Sequence, residues 1–463
     1  MTKKLPDWAH RTPLWDPQRG VLCAPKRVAI IGAGIAGLVA AYELTKSGYE
    51  VIVYEKNSYP GGRMRTSTEG GMQFDSGAII LSANYRTLKK YSDELGVEWS
   101  PMAYATTHRV LRNGKAYLYG LKGPLDILRL NVISLRSRLK FLAWLIKIST
   151  QKVTGSFFDL TTTTPETNTD SASHYLRKKV SDELVDYIVD PFTAGLHFYL
   201  SDEISTAALF TLMKMISSDP DFGARNPKGG VQAIPNALAR KVNVRYETDV
   251  LSVSPGNLVR TKDKEGKFDV VVFACPAPVA QALLTEPTSA QKKLLESVAY
   301  GGTATISFKV PANFFADSTN CIYVPYRENQ IISTCIFEGC KGEDRVKECM
   351  TLFNVYLHAK AAEELLQKTD AEIIAAVMPE IKKVCPEFTS REKDISFHAI
   401  ERWPLAIPKY TPGLVTAVRE FLQTGQGAGG VYFTGDYMAA PWTEGAAQSG
   451  KRTAKLVTES LSE

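Results

Sequence analysis

The feature that most constrains the fold is the stretch from Lys26 to Thr66, which reads KRVAIIGAGIAGLVAAYELTKSGYEVIVYEKNSYPGGRMRT. It begins with a short apolar run, Val28 to Ile31, that is typical of a strand buried in a parallel sheet. Three glycines at G-x-G-x-x-G spacing follow, and the Ala- and Leu-rich segment from Leu38 to Lys46 predicts a helix. A second apolar run from Glu50 to Tyr54 ends at Glu55. This order predicts a βαβ unit.

The three glycines of this unit, Gly32, Gly34 and Gly37, each have a physical task. Gly32 permits the tight turn, Gly34 lets the backbone approach a pyrophosphate, and Gly37 lets the helix pack closely on the strand. The helix N-terminus offers free N–H groups and positive dipole potential to phosphates. Glu55, eighteen residues beyond Gly37, stands where a carboxylate binds ribose hydroxyls, whereas NADP would require an arginine there. The stretch therefore predicts a dinucleotide site; the alternative is a glycine turn in an ordinary βαβ unit.

Two further motifs follow the second strand within a few residues, Gly61-Gly62-Arg63 and Phe74-Asp75-Ser76-Gly77. Together with the βαβ unit they resemble the flavoprotein superfamily of amine oxidases, protoporphyrinogen oxidases and phytoene desaturases. The resemblance implies that the cofactor is FAD, with the double glycine beside it and Arg63 close to its pyrophosphate and flavin. Taken alone, the GGR sequence would be a surface turn with a solvated arginine.

The C-terminal string VYFTGDYMAAPWTEGAAQSGKRTAKLV resembles the FAD-closing motif of the same superfamily. The likeness implies that Asp436 binds a ribityl or phosphate-linked hydroxyl, the alternative being a simple N-cap. The helix that begins at Glu444 would turn its N-terminal amides to the N1–C2=O region of the flavin. The residues expected at the cofactor are Gly32, Gly34, Ala36, Gly37, Glu55, Lys56, Gly61, Gly62, Arg63, Gly77, Ala78, Val250, Gly435, Asp436, Glu444, Gly445 and Ala446. Val250 is expected to meet the adenine through its backbone. Because no cysteine lies between Trp403 and Gly413, where covalently flavinylated amine oxidases attach FAD, noncovalent binding is expected.

Two interior strings extend the resemblance. VDPFTAGLHFYLSDEIS is similar to a "PF..G" segment of protoporphyrinogen oxidases and desaturases, and ERWPLAIPKYTPG is similar to their "W…P.Y..G" segment. Porphyrinogen oxidases usually carry a small Ala-Gly-Asp turn after the glycine of the first segment, whereas this chain has the bulky Phe198-Tyr199-Leu200, which argues against a porphyrinogen substrate. The candidate pocket residues are Trp403, Tyr410, Trp442, Phe192, His197 and Thr305.

The alternating segment TATISFKV predicts a strand on which amine oxidases of this superfamily place a lysine that holds a water against flavin N5. Thr305 occupies the corresponding position here. Lys309 lies four residues further on, which displaces its side chain by about 13 Å along a strand. This difference argues against a lysine-dependent amine oxidase.

We expect an α/β fold in which a Rossmann-type FAD-binding domain carries an inserted α+β substrate-binding domain that contains a helical segment. The FAD-binding domain is expected to comprise residues 26–84, 226–290 and 396–463, and the substrate-binding domain residues 85–225 and 291–395. Residues 1–25 are expected to form an N-terminal arm.

The expected activity is that of an FAD-dependent oxidase or desaturase, similar to protoporphyrinogen oxidases, that transfers hydride from a C–H or C–N bond of a bulky, largely hydrophobic substrate to flavin N5. Oxygen or another acceptor would reoxidise the flavin. Two alternatives remain open: an amine oxidase for a small or natural-product amine, and a redox-neutral flavin-dependent isomerase.

Composition limits the possible partners. The chain has 463 residues, a formal charge of +6, and hydrophobic and charged fractions of 44% and 22%, which is typical of a globular protein without nucleic-acid binding. Its seven cysteines and six histidines are scattered without metal-ligand spacing, so no metal is expected. Cys275 is expected to be an inert structural thiol. The setting predicted from these observations is cytoplasmic.

Residues 124–153 are basic and rich in leucine, and Leu135, Leu139, Leu142, Ala143 and Ile146 recur at helical spacing. A basic amphipathic helix of this kind either covers a domain core or a substrate tunnel, or lies in a membrane interface. Peripheral membrane contact is therefore a second possibility for this segment.

Overall fold

A five-stranded parallel sheet forms the first layer of the computed structural model. The structure describes residues 14–16, 21–23, 25–101, 107–120, 123–149, 156, 158–162, 170–210, 213 and 224–462. In spatial order the strands of this sheet are Val244–Arg245, Glu50–Tyr54, Arg27–Ile31, Val270–Phe273 and Val431–Phe433. Alternate residues of each strand point to opposite faces, and both faces are buried. This arrangement confirms the expected Rossmann-type layer.

Helices cover the two faces of this sheet. Ile35–Lys46 and Thr443–Ser462 pack on one face, and Ala277–Leu283, Ser289–Glu296 and Leu414–Thr424 pack on the other. The first and last helices approach so closely that a Cβ at Gly450 would lie 2.2 Å from the carbonyl oxygen of Ala36. The two ends of the chain are therefore packed against each other beside the glycine turn.

A mixed seven-stranded sheet forms the second layer. Its strands, in spatial order, are Lys115–Leu118, Thr107–Arg112, Thr319–Tyr323, Ile332–Phe337, Met350–Leu357, Tyr300–Pro311 and Ser396–Pro408. One face packs on the helices Ala359–Leu365, Asp370–Val384 and Glu387–Ser390. The other face carries Thr305 and Tyr323 toward the cavity described below.

Smaller elements connect the two layers. They are the hairpin Thr66–Glu69 with Met72–Asp75, the sheet Leu81–Ser82, Ala224–Pro227 and Trp99–Pro101, the sheet Val250–Ser254, Leu258–Thr261 and Glu265–Lys267, and the helices Arg86–Glu94 and Ala233–Ala239. Most of the predicted N-terminal arm lies outside the described residues. Its described part, Leu14–Asp16 and Val21–Cys23, pairs as two antiparallel strands.

Two contacts bear on the expected domain boundaries. Ser396–Pro408, which we expect in the FAD-binding domain, pairs with Tyr300–Pro311 along the edge of the seven-stranded sheet. Helix Arg86–Glu94, which we expect in the substrate-binding domain, has its first turn capped by Glu444 and packs Tyr91 on Tyr42 of helix Ile35–Lys46, with ring centroids 5.9 Å apart. The domain division itself stays a prediction.

The predicted helical segment consists of Pro124–Leu128, Leu135–Ser149, Ala172–Lys179, Asp182–Leu184, a π-helical turn at Val185–Val189, and Asp190–His197. Ser171 is the N-cap of helix Ala172–Lys179, and its hydroxyl accepts the His174 N–H at 3.3 Å. Asp170 accepts the backbone N–H of Ser171. The loop residues 163–169 lie outside the described part of the chain.

The orientation of helix Leu135–Ser149, the basic helix, differs from the expectation that its leucine row covers a core. Leu135, Leu139 and Ile146 are 58%, 52% and 60% exposed. The buried face instead carries Phe141 and Trp144, which stack on each other with ring centroids 6.1 Å apart. Two rows of this helix are apolar, and the larger aromatic row lies in the core.

We predict that Glu183→Gln lowers the unfolding free energy of the protein, because it weakens the hydrogen bonds that hold the start of the basic helix. The Glu183 carboxylate accepts the Ser134 backbone N–H, the Ser137 hydroxyl and the Arg112 guanidinium at 2.9–3.0 Å. Partial burial raises the pKa of Glu183, but these hydrogen bonds outweigh it and lower the pKa from 4.5 to about 2. Because the folded-state pKa is depressed, the stabilisation is present above pH about 4.5 and is lost as the pH falls toward about 2.

The expected loss of unfolding free energy in this variant is about 1–2 kcal/mol at pH 7, after discounting for solvent screening. Urea denaturation of both proteins between pH 7 and pH 3 measures it. The difference should shrink as the pH falls, and a difference independent of pH would contradict the assignment.

Candidate active site

The glycine turn after strand Arg27–Ile31 has the close contacts that its motif predicts. A Cβ at Gly37 would lie 2.2 Å from the Gly32 carbonyl oxygen and 2.9 Å from the Ala274 Cβ, so only glycine allows this helix to pack on the sheet. Gly34 is the N-cap of helix Ile35–Lys46 and provides no side-chain cap for its first N–H groups. These N–H groups are therefore left for an anion at the helix N-terminus.

Glu55 stands at the end of the second strand, as predicted. Its Oε2 accepts the Ala33 N–H at 2.8 Å, and its Oε1 accepts the Asn57 backbone N–H at 2.9 Å. These bonds hold the buried carboxylate against the glycine turn. Lys56, Thr248 and Val250 line the cavity on the same side.

A second glycine turn rests directly on the first. The Gly61 N–H donates to the Ala33 carbonyl at 2.8 Å, and the Ala78 N–H donates to the Arg63 carbonyl at 2.7 Å. A Cβ at Gly77 would lie 2.0 Å from that same Arg63 carbonyl oxygen, so the backbone here admits no side chain. The resulting cradle of bare backbone suits a large planar or phosphate-bearing ligand.

Arg63 connects this cradle to the C-terminal part of the chain. Its guanidinium makes a two-pronged ion pair with Asp436, at 2.6 and 2.9 Å, and also donates to the Ala406 carbonyl at 3.0 Å. Burial opposes its charge, yet the Asp436 carboxylate keeps the pKa of Arg63 above its usual value. The Tyr410 hydroxyl donates to the Asp436 carbonyl from behind.

One cavity of about 760 Å³ collects these parts. The predicted residues that line it are Gly32, Gly34, Ala36, Glu55, Lys56, Gly61, Gly62, Arg63, Gly77, Ala78, Val250, Gly435, Asp436, Ala446, Phe192, Thr305, Trp403 and Trp442. Those that do not line it are Gly37, Glu444, Gly445, Tyr410 and His197. The sequence motifs from both ends of the chain therefore converge on one site.

Glu444 corrects one expectation. Its carboxylate is fully buried and accepts the backbone N–H groups of Thr87 and Leu88, at 2.7 and 2.9 Å. It thus satisfies the first turn of helix Arg86–Glu94, and its side chain is turned away from the cavity. Of the three residues that begin the last helix, Ala446 is the one that lines the cavity.

An aromatic wall of Tyr119, Phe192 and Tyr323 lines another part of the cavity. Tyr119 and Phe192 stack with centroids 6.3 Å apart, and Tyr119 and Tyr323 are 5.0 Å apart. A Cβ at Gly195 would lie 2.6 Å from the Tyr323 ring, which explains the glycine of the "PF..G" string. Tyr119 and Tyr323 were not predicted as site residues, because nothing in their local sequence distinguishes them from core tyrosines.

Between the cradle and the aromatic wall, one carbonyl oxygen is held from two sides. The Ser76 carbonyl accepts the Thr305 hydroxyl at 2.8 Å and the Trp403 indole N–H at 2.7 Å. Both donors belong to the seven-stranded sheet. Lys309 does not line the cavity.

The remaining titratable candidates are neutral at physiological pH. Burial lowers the pKa of His197 to about 4, and its ring lies 4.9 Å from that of Trp442. Burial raises the pKa of Cys275 to about 12, so its thiol is protonated, as an inert role requires. The described residues contain no group of His, Cys, Asp or Glu side chains arranged to hold a metal ion.

The chain is similar to several known proteins. Residues 35–458 match the family described as flavin containing amine oxidoreductase. The chain is 22% identical to 15-cis-phytoene desaturase of Synechococcus elongatus over 471 aligned positions, which cover 93% of this chain and 95% of that enzyme. It is 30% identical to mitochondrial protoporphyrinogen oxidase of Nicotiana tabacum over 172 residues, which cover 37% of this chain and only 32% of the tobacco enzyme.

Two solved structures have the same fold. A putative protoporphyrinogen oxidase of Exiguobacterium superposes with a TM-score of 0.74 at 18% identity, covering 94% of this chain and 99% of the other. Cyclohexylamine oxidase of Brevibacterium oxydans also superposes with a TM-score of 0.74 at 18% identity, covering 95% and 100%. The family match extends over nearly the whole chain and includes the cavity residues from Ile35 onward. The chain therefore belongs to the flavin containing amine oxidoreductase family, and it is an oxidoreductase with a flavin cofactor.

Proposed function

We propose that the protein binds FAD noncovalently and oxidises a bulky, largely hydrophobic and uncharged substrate, as an oxidase or desaturase. The observation that carries this proposal is the single cavity that joins a phosphate-binding helix end, a bare backbone cradle and an aromatic wall. When bound, the flavin supplies the hydride acceptor, and oxygen or another acceptor takes the electrons onward.

The protein's own residues fit FAD in three ways. Helix Ile35–Lys46 offers its uncapped N–H groups to the phosphates, and Glu55 offers a carboxylate to a ribose. Gly77 lets the backbone of this cavity-lining turn lie directly against the Arg63 backbone, because a Cβ there would lie 2.0 Å from the Arg63 carbonyl oxygen. We propose that the other cavity-lining residues expected at the cofactor also contact FAD.

The carboxylates of the cavity support an uncharged substrate. Asp436 is paired with Arg63, Glu401 lies 3.4 Å from Arg65, and Glu55 accepts backbone N–H groups. The fourth carboxylate of the cavity belongs to Asp249, which precedes Val250 on the side of Glu55. It is distant in sequence from the residues of the aromatic wall. An ammonium substrate would therefore find no carboxylate in the wall of Tyr119, Phe192 and Tyr323.

The amine oxidase alternative also lacks its lysine, because Thr305 stands at that position with its hydroxyl donated to the Ser76 carbonyl. The redox-neutral isomerase is favoured by no contact in the described part of the chain. Both alternatives are outcomes of the substrate test below.

We predict that Gly77→Ala weakens FAD binding at least tenfold, since the new Cβ would lie 2.0 Å from the Arg63 carbonyl oxygen. Gly123→Ala is the matched control, because a Cβ there would meet no atom within 4 Å. Fluorescence titration with FAD measures both affinities.

Heat-denatured wild-type protein should release all of its flavin; flavin retained on the denatured chain would contradict noncovalent binding.

We predict that apolar substrates with saturated or partly conjugated carbon chains or rings reduce the bound flavin under anaerobic conditions, whereas primary amines do not. Stopped-flow absorbance of the flavin measures this directly. Faster bleaching by an amine panel would favour the amine oxidase. Conversion of a substrate without any bleaching would favour the isomerase.

We also propose that the protein associates peripherally with an anionic membrane surface from the cytoplasm. Leu135, Leu139 and Ile146 lie within about 40° of one another on the helix circumference and are exposed. Residues 127–158 contain no Asp or Glu, and the exposed cations Arg136 and Lys140 flank the apolar row. Such an exposed apolar row with adjacent cations fits an anionic bilayer interface, whereas a second copy of this chain would present like charge.

No helix among the described residues has the length and apolar character that crossing a bilayer would require. Insertion of the basic helix to the depth of its leucine row is therefore the form of contact proposed. Leu125, in the preceding helix Pro124–Leu128, is also exposed, at 67%.

We predict that replacing Leu135, Leu139 and Ile146 together by serine reduces binding to phosphatidylglycerol-containing vesicles at least tenfold. Flotation with vesicles of phosphatidylcholine, with and without phosphatidylglycerol, measures binding, and wild-type binding should fall with added salt. Leu251→Ser, at a leucine that is 50% exposed elsewhere, is the matched control. Equal flotation of the triple variant and the wild type would contradict the proposal.

A further inference from the structure

Four charged side chains without any solvent exposure form a cluster between the two layers. Asp75 lies at the end of strand Met72–Asp75, and Glu338, Lys341 and Arg345 lie between two strands of the seven-stranded sheet. All four side chains are 0% exposed. The cluster, which we call the interlayer ion cluster, has two carboxylates and two cations.

The contacts of the cluster join the hairpin that carries Asp75 to the seven-stranded sheet. Asp75 Oδ2 accepts from Arg345 Nη2 at 3.0 Å and lies 3.5 Å from Lys341 Nζ. Lys341 Nζ lies 2.6 Å from Glu338 Oε1, which also accepts from the Asn354 amide at 2.9 Å. The Asp75 carboxylate is therefore held by the second layer through two cations.

The other oxygen of Asp75, Oδ1, binds the hairpin itself and the loop before helix Ala233–Ala239. Asp75 Oδ1 accepts the Thr66 hydroxyl at 2.7 Å and the Val231 N–H at 3.1 Å. Thr66 belongs to the paired strand of the hairpin, and Val231 precedes helix Ala233–Ala239. One carboxylate thus ties the hairpin and the loop before that helix to the seven-stranded sheet.

The residues next to Asp75 in sequence are those of the cradle. Ser76, Gly77 and Ala78 line the cavity, and the Ser76 carbonyl is the one that Thr305 and Trp403 hold. Because Asp75 directly precedes Ser76 in the chain, a shift of Asp75 would also move the Ser76–Ala78 turn. A buried ion cluster of this kind brings little net stability over apolar packing, so its distinctive effect is to fix one arrangement.

We propose that the interlayer ion cluster is a positioning device that sets the place of the Ser76–Ala78 turn in the cavity and thereby of the cofactor against the second layer. Asp75, Lys341 and Arg345 act through the turn and touch no substrate. The consequence for the cofactor rests on the proposed function, whereas the consequence for the turn does not.

Double substitution separates positioning from stability. Asp75→Asn alone leaves two buried cations with one carboxylate, and Arg345→Met alone leaves two carboxylates with one ammonium. Each single variant should lower the Tm by roughly 3–5 °C, since an unpaired buried charge remains. The double variant removes one charge of each sign and should recover most of that Tm, but it lacks the charge-assisted bond between the layers.

Positioning is measured on the FAD-free protein by amide hydrogen exchange at Ser76 and Ala78. Their backbone N–H groups donate to the backbone carbonyls of Arg65 and Arg63, respectively. We expect at least tenfold faster exchange in the double variant, and at least tenfold weaker binding of FAD. The matched control is Asp394→Asn with Arg391→Met, an Arg–Asp pair at the surface of the same layer, which should change neither quantity. Wild-type exchange and wild-type FAD affinity in the recovered double variant would overturn the proposal.

If the double variant does not recover its Tm, Arg345→Lys takes its place. This variant keeps the net charge but loses the reach of the guanidinium, and faster exchange at Ser76 and Ala78 is again expected, with unchanged exchange overturning the proposal. A wild-type protein that does not bind FAD would contradict the proposed function, and the exchange measurement would still decide the role of the cluster.

Discussion

The partly buried pair of Arg63 and Asp436 is the interaction on which the site depends. It connects residues 373 positions apart in the sequence. Arg63 follows a glycine turn that rests on the first one, and Asp436 follows the last strand of the parallel sheet. The same guanidinium donates to the Ala406 carbonyl in the edge strand of the second sheet. Its planar set of donors thus fixes three parts of the chain around one cavity, which a lysine could not do in the same geometry.

The sequence predicts most of the cofactor side of this arrangement, because its motifs are local. The spacing of Gly32, Gly34 and Gly37, and the acid at Glu55, each express a short-range steric or electrostatic need that the structure meets. The C-terminal Asp436 could also be recognised from its position after a strand. The glycine turn and Glu55 require only the residues near them in sequence, whereas the role expected of Asp436 comes from the resemblance to a known family.

The remaining features depend on partners distant in sequence and could not be predicted in this way. Glu444 resembles a cofactor ligand in sequence, but its carboxylate caps helix Arg86–Glu94. Tyr323, in a strand, and Tyr119, just after strand Lys115–Leu118, become a wall only because both strands lie in one sheet with a helix packed beside them. Ser396–Pro408 pairs with Tyr300–Pro311, a neighbour that its own sequence does not reveal.

The second layer and its helical segment also invert the usual rule that apolar residues lie inside and charges outside. The leucine row of the basic helix is exposed, whereas Asp75, Glu338, Lys341 and Arg345 are completely buried. Helical periodicity identifies an apolar row, but it cannot decide between two such rows, and here Phe141 and Trp144 occupy the core. A buried charge is likewise invisible in sequence until its partner is located.

The two inversions have different physical costs, and this difference indicates why both persist. An exposed apolar row loses the hydrophobic stabilisation that burial would provide, about 25 cal/mol per Å² of apolar surface, unless another apolar phase covers it. A buried ion cluster requires desolvation of each charge, which the mutual attraction of the four side chains offsets only in one geometry. The first arrangement therefore favours an external partner, and the second favours a single internal position.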